Sequence, residues 1–164
     1  MASETKARIP PQNVEAEQSV LGAILMDNEA AHDITEILRA EDFYKDTHRF
    51  IFEAILDLME RNEPADLVTL TNELKKKGDL DKIGGAAYLA TLVEAVPTSA
   101  SVTQHAKIVK EKAIVREVIR AANEISDTGY EGGTDVAEFL DQAERVIFRV
   151  SDSHHRNSLL PLSA

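Results

Sequence analysis

Two groups of side chains in this 164-residue chain have the types and spacing of metal ligands. Glu29 and His32 stand three positions apart, which places a carboxylate and an imidazole on one helix face, as in two-metal helical bundles. Such a site needs a second copy of the motif and further glutamates, and the sequence has no second copy. The adjacent His154 and His155 lack a third ligand. We therefore predict no metal site, and a metal-dependent helical enzyme is kept only as an alternative.

Two further groups could take part in acid–base catalysis. His48 lies near Asp46, a combination that can move protons, but beside two phenylalanines it is more typical of a histidine at a helix start with a structural hydrogen bond. Glu15 and Glu17 lie about 200° apart on a helix, so they cannot face each other as the carboxylates of a glycosidase do. Their place in a first turn complements the helix dipole instead. We predict no catalytic residue.

Composition excludes several other kinds of chemistry. The chain has no cysteine, which removes thiolate catalysis, thiolate zinc sites and iron–sulfur clusters. None of its seven glycines precedes a lysine, so a phosphate-binding loop is absent and we expect neither ATP hydrolysis nor a cofactor. The net charge of −11 opposes binding to phosphates, and we expect nucleic acid to bind only weakly. The lysines at 75–77 are interpreted as a solvated helix end.

The sequence contains no segment that would cross a membrane. The most apolar run, residues 20–26, is far shorter than the roughly 20 residues that a spanning helix needs. The first dozen residues lack the apolar stretch of a signal peptide. We expect a cytoplasmic protein.

Hydrophobic spacing predicts an all-α fold that begins with a compact globular bundle of five short helices. Asn13 and Asn28 are the predicted N-caps of the first two helices, which end near Met26 and Leu38. The third begins at Asp46 or Thr47 and ends at Asn62, the fourth spans residues 67–77 between Asp66 and Gly78, and the fifth spans residues 86–96.

A long antiparallel helical hairpin is predicted to follow the bundle. Its first helix begins at Ser101 or Thr103 and ends at Thr128, and its second runs from Asp135 to about Val150. The predicted organisation is a flexible arm at 1–12, a globular subdomain at 13–98, an oligomerisation hairpin at 99–151 and the start of a disordered linker at 152–164.

The apolar surface of this hairpin is too broad for two helices to cover. On the first helix, apolar residues from Ile108 to Ile125 fill an arc of roughly 160°, with Val109 outside it. On the second helix Phe148 lies off the stripe, which is formed by Val136, Phe139, Leu140, Ala143, Val146, Ile147 and Val150. Because exposed apolar surface of this extent is typical of an interface, we predict self-association as a dimer or a multiple of it.

Five blocks of sequence resemble, in order, the N-terminal domain of the bacterial replicative DNA helicase DnaB. The first is IPPQNVEAEQSVLG at residues 9–22. The later blocks are DFY followed by HRFIF at residues 42–52, GGAAYL at 84–89, PT at 97–98, and AKIV at 106–109 with Arg116. Each block alone is weak, but their shared order is specific. The similarity spans residues 9–150.

The resemblance implies a non-catalytic helicase collar in which dimers assemble three at a time into a ring. Family members use this region for hexamer assembly and to bind the C-terminal domain of the primase DnaG, whereas ATP and Mg belong to a separate motor domain. A helicase-binding domain of primase, which has a similar helical shape, is the other binding module considered. The residues expected to contact a second copy or primase are Ile108, Val115, Ile119, Ile125, Phe148, Arg116 and Arg120.

Overall fold

Helices form all the regular secondary structure in residues 8–96 and 101–159, the part of the chain that the computed structural model describes. Side chains are described in those ranges as far as residue 154. The α-helices are α1 (Val14–Met26), α2 (Ala30–Ile37), α3 (Asp46–Glu60), α4 (Leu67–Lys77), α5 (Gly85–Glu94), α6 (Val102–Glu131) and α7 (Val136–Leu159), with short 3-10 helices at Ala40–Asp42 and Asp81–Ile83. The all-α prediction is confirmed.

Local side chains set the ends of two helices as predicted. The Oδ1 atom of Asn13 accepts a hydrogen bond from the Ala16 backbone N–H at 2.9 Å, which caps α1. At α4, Asp66 accepts from the Thr69 N–H and Thr69 Oγ1 accepts from the Asp66 N–H, both at 2.9 Å. Gly78 then ends α4 in the left-handed conformation, with φ of 76°.

Asn28 does not cap α2 as predicted. Its Oδ1 atom instead accepts from the backbone N–H of Ala65 at 3.0 Å, which ties the α1–α2 turn to the segment before α4. Glu29 occupies the N-cap position without a side-chain hydrogen bond. The Asn28 oxygen that the local sequence pattern assigned to the start of α2 therefore accepts a hydrogen bond from a residue distant in sequence.

Both long helices extend beyond their predicted ends. Helix α6 passes through Gly129 and stops at Glu131, and the left-handed residues Gly132 and Gly133 make the turn, with φ of 67° and 84°. Helix α7 continues to Leu159. The predicted ends at Thr128 and Val150 were wrong, and so was the linker predicted from residue 152, at least as far as residue 159. The predicted arm at 1–7 and the remainder of the linker at 160–164 lie outside the described residues.

The chain divides into two units, residues 1–113 and 114–164, whereas the sequence predicted a boundary at 98/99. The observed boundary lies later because the first part of α6 belongs to the first unit. In this part Val102, Ala106 and Val109 are buried in the core of that unit. Val109, which falls outside the predicted apolar arc, is thus a core residue. Ile108 is half-buried and also packs against this core, so only part of its side chain is exposed for the predicted contact.

Close helix contact in the first unit depends on one glycine. A Cβ atom added to Gly22 in α1 would lie 2.1 Å from the Leu92 carbonyl oxygen and 2.4 Å from Val96 Cγ2. Both distances are far inside van der Waals contact, so only glycine lets α1 approach α5 this closely. Around this contact the core is filled by fully buried large side chains from α1 to α5 and the loops, including Leu21, Ile24, Ile34, Phe43, Phe52, Ile55, Leu74 and Leu89.

An ion pair satisfies the largely buried carboxylate of α4. Arg61 donates to both oxygens of Glu73, with its closer nitrogen at 2.5 Å, and also reaches Glu63. The Arg61 hydrogen bond holds the pKa of Glu73 below its usual value. Because a lowered pKa marks a charge that the folded state favours, this pair stabilises the folded chain at neutral pH and loses its contribution as acid protonates Glu73.

Candidate protein-interaction surface

Three polar side chains from different helices meet in the interior of the first unit. Glu17 of α1 and His48 of α3 are buried, and His48 Nδ1 lies 2.7 Å from Glu17 Oε1. On the other side of the ring, His48 Nε2 lies 2.6 Å from the hydroxyl of Tyr88 in α5. The second Glu17 oxygen accepts from the Tyr44 backbone N–H at 2.8 Å. We call Glu17, His48 and Tyr88 the buried polar cluster.

The buried polar cluster is structural in character. Because both Glu17 oxygens accept hydrogen bonds from backbone N–H groups, Nδ1 is the ring nitrogen placed to donate to Glu17, and Nε2 is placed to accept from the Tyr88 hydroxyl. Every ring nitrogen and carboxyl oxygen is therefore used within the fold. His48 lies in the first turn of α3 and makes hydrogen bonds within the fold, as the sequence interpretation expects. The sequence interpretation of Glu17 as a charge near the helix dipole did not include its hydrogen bonds to residues distant in sequence, Tyr44 and His48.

The hairpin unit is an antiparallel pair of helices, as predicted. Arg149 of α7 approaches Glu124 of α6 at 3.4 Å, and His154 Nε2 lies 2.6 Å from Glu117 Oε2. Near the turn, a Cβ on Gly129 would lie 3.1 Å from the Phe139 ring. From one pair to the next, residue numbers rise along α6 and fall along α7, so the two helices are antiparallel.

The apolar stripe of α7 is wider than its contact with α6. Four residues at spacings of four and three, Phe139, Ala143, Val146 and Val150, are half-buried and form the α7 side of the seam. Val136, Leu140 and Ile147 belong to the same predicted stripe but are exposed, and Phe148 is 67% exposed. The seam therefore uses only part of the apolar surface.

Helix α6 shows the same division between a seam and an exposed flank. Within the hairpin unit Ala121 is buried and Ile114 and Ile125 are half-buried, whereas Val115, Val118 and Ile119 are between 43% and 45% exposed. In both helices the exposed residues are rotated from the seam in the same sense, and because the helices run antiparallel, the α6 flank and Ile147 lie on one side of the hairpin. Phe148 lies about 100° further round α7 than Ile147. We call Val115, Val118, Ile119, Ile147 and Phe148 the hairpin face.

The structure places the predicted interaction residues in different environments. Val115, Ile119 and Phe148 are exposed on the hairpin face, and Arg120 is exposed near it. Ile125 is half-buried. Arg116, also predicted to contact a partner, is buried with 7% exposure, so little of its side chain is accessible.

The described residues contain no group of three or more potential metal ligands. Glu29, at the N-cap of α2, and His32, within α2, are both exposed. Among the described helices, none is both long and apolar enough to cross a membrane.

The described residues form an all-helical fold with exposed large apolar side chains. Residues 9–111 match the family model described as the DnaB-like helicase N terminal domain. This match covers more than half of the chain, which therefore belongs to that family. The assignment favours the helicase interpretation over the helicase-binding domain of primase.

Curated relatives support the assignment. The chain is 47% identical over 148 residues to the replicative DNA helicase DnaB of Geobacillus stearothermophilus, a match that covers 90% of this chain and 33% of the relative. It is 45% identical over 162 residues to that of Mycobacterium leprae, covering 98% of this chain and 27% of the relative. The chain thus spans about a third of the length of these relatives.

Two solved structures share the fold. The crystal structure of the N-terminal domain of DnaB helicase from Mycobacterium tuberculosis is 46% identical with a TM-score of 0.82, and the match covers 87% of this chain and 99% of that chain. A structure of a DnaB-like replicative helicase and its interactions with primase is 25% identical with a TM-score of 0.72, covering 84% of this chain and 31% of that one.

Proposed function

We propose that this chain is the non-catalytic collar of a hexameric replicative DNA helicase, acting in the cytoplasm at the replication fork. In this role it holds copies of the helicase together and docks primase, and it needs no cofactor because ATP and Mg are used by a separate motor domain. The observation that carries the proposal is the exposed hairpin face in a member of the DnaB-like N-terminal family.

The occupant proposed for most of the hairpin face, namely Val115, Val118, Ile147 and Phe148, is a second copy of the chain. The face is a row of aliphatic side chains with one phenylalanine, which is the composition of an interface core rather than of a solvated surface. An interface between identical copies buries the same face twice, so one patch suffices for a dimer. Three such dimers complete the proposed ring.

The first prediction is that Phe148→Glu dissociates the assembly. Wild-type chain is expected to have twice the single-chain mass of 18.1 kDa, or a multiple of that. Glutamate at this exposed position would place an unpaired charge in the interface, so the mass should fall to that of one chain while helix content stays unchanged. Sedimentation over a concentration series measures both variants.

Val68→Glu is the matched control, because Val68 is also an exposed apolar residue, 78% exposed, but lies on α4. It should leave the mass unchanged. A wild-type chain that remains a monomer at high micromolar concentration would contradict self-association, and so would a Phe148→Glu variant with the wild-type mass.

Primase docking is proposed on the same unit, with Ile119, the remaining residue of the hairpin face, as the favoured anchor. The relative whose structure includes interactions with primase shares this fold, and Ile119 is exposed next to Arg120. Ile125 is half-buried at the seam, so it is the weaker candidate. An apolar anchor beside a polar group is the usual arrangement of an interface hot spot.

We predict that Ile119→Asn weakens binding of the C-terminal domain of primase by about tenfold or more while the melting temperature changes little. Ile125→Asn is expected to lower the melting temperature, because it places an amide in the seam. Calorimetric titration and thermal melting distinguish the two effects. Unchanged primase binding by Ile119→Asn at unchanged oligomer mass would place the docking site elsewhere.

A further inference from the structure

Charge is distributed very unevenly along the hairpin. Residues 121–144, which contain the end of α6, the turn and the start of α7, carry seven acidic side chains and no lysine or arginine. The flanking residues 101–120 and 145–164 carry all eight lysines and arginines of the second half. The net charge of the second half is therefore small, although the part of the hairpin around the turn is strongly acidic.

Most of these acidic groups have no ionic partner within the described part of the chain. Glu124 pairs with Arg149, and Asp141 pairs with Arg145 at 2.6 Å. The other five, Asp127, Glu131, Asp135, Glu138 and Glu144, make no described ion pair. Repulsion among uncompensated charges lowers stability, and of these five only Asp135 and Glu138 lie at the start of α7, where the helix dipole favours a negative charge.

Large apolar side chains are exposed among the same carboxylates. Tyr130 is 90% exposed at the end of α6, and Val136 and Leu140 in the first turns of α7 are 72% and 57% exposed. We call Tyr130, Val136 and Leu140, with Glu131, Asp135 and Glu138, the hairpin tip. Single exposed apolar residues are common, but three of this size within eleven positions around one turn form a patch.

We propose that the hairpin tip docks a basic amphipathic segment of a partner protein. The exposed tyrosine and aliphatic side chains supply the anchors, and the carboxylates around them supply the complementary charge and the long-range attraction. Nucleic acid is repelled by the same carboxylates. A second copy aligned tip to tip would also be repelled, because it brings an identical set of charges.

This docking site goes beyond the proposed collar function because it uses different residues from the hairpin face. The hairpin face contains no acidic side chain, whereas the tip has three among its six residues. The two surfaces can therefore be altered independently. A negative result for the hairpin tip does not contradict the function proposed for the hairpin face, and the reverse also holds.

The test uses a fluorescent synthetic peptide of leucine and lysine with helical amphipathic spacing, titrated with the full chain at low salt. The test variant is the triple neutralisation Glu131→Gln, Asp135→Asn and Glu138→Gln. The matched control neutralises three exposed glutamates of α2 and α3, Glu36→Gln, Glu53→Gln and Glu60→Gln. Both variants have the same net charge, so they differ only in where the charge is lost.

The tip variant is expected to weaken peptide binding by about tenfold or more, with the control variant close to wild type. Tyr130→Ser should also weaken binding, because it removes an anchor without changing charge. Circular dichroism checks that each variant retains its helix content, and binding by the wild-type chain should fall as salt is raised.

Equal weakening by the tip and control variants would overturn the proposal, since it would show attraction to net charge alone. A changed oligomer mass in the tip variant would overturn it in favour of a second copy as the occupant. Tight binding of single-stranded DNA that the tip variant abolishes would overturn it in favour of nucleic acid.

Discussion

Replacing Gly22 by alanine is expected to destabilise the first unit by about 3 kcal/mol or more. The new methyl group would lie 2.1 Å from the carbonyl oxygen of Leu92, and that atom belongs to the backbone of α5. A backbone atom cannot move aside alone, so α1 and α5 must separate and the core that they bury must open. Urea denaturation monitored by circular dichroism measures the loss.

Gly129→Ala is the matched control for this prediction. It is the same substitution inside another helix, but its Cβ would meet the end of the Phe139 ring at 3.1 Å rather than backbone. The ring can shift, and alanine gains up to about 1 kcal/mol of helix propensity over glycine. The net effect should lie within about 1 kcal/mol of zero. Comparable losses of stability in Gly22→Ala and Gly129→Ala would contradict the prediction that the close packing of α1 against α5 requires glycine.

Replacing His48 by alanine is expected to cost about 3 kcal/mol or more. The substitution removes a fully buried ring and leaves the Glu17 carboxyl group and the Tyr88 hydroxyl without their shared partner. The free energy of unfolding then falls both because a cavity is left and because two polar groups lose a hydrogen bond. The midpoint of urea denaturation should fall accordingly.

Tyr88→Phe separates the two contributions, because it removes only the hydroxyl that lies 2.6 Å from His48 Nε2. We expect a smaller loss, about 1–2 kcal/mol, and less than additive loss in the double variant because both changes break the same contact. Additive losses would show that His48 and Tyr88 are energetically independent. An unchanged stability of His48→Ala would show that the buried polar cluster contributes nothing.

The sequence alone determined the features that depend on neighbours within one or two helical turns. Asn13 and Asp66 cap helices as predicted because the backbone N–H groups that they accept from lie only three residues away. Gly78 ends α4 because it adopts the left-handed conformation without steric cost. The antiparallel hairpin also follows from local signals, namely two long apolar patterns separated by a pair of turn glycines.

Tertiary structure decided the features in which distant residues compete for one group. Asn28 bonds to Ala65 rather than capping α2, and Glu17 meets residues 27 to 31 positions further along the chain. Val109 becomes part of the core, although its position on the helical wheel sets it apart from the hairpin arc. Helical spacing tells which residues share a face, but burial of that face depends on which other element packs against it, and this depends on the whole fold.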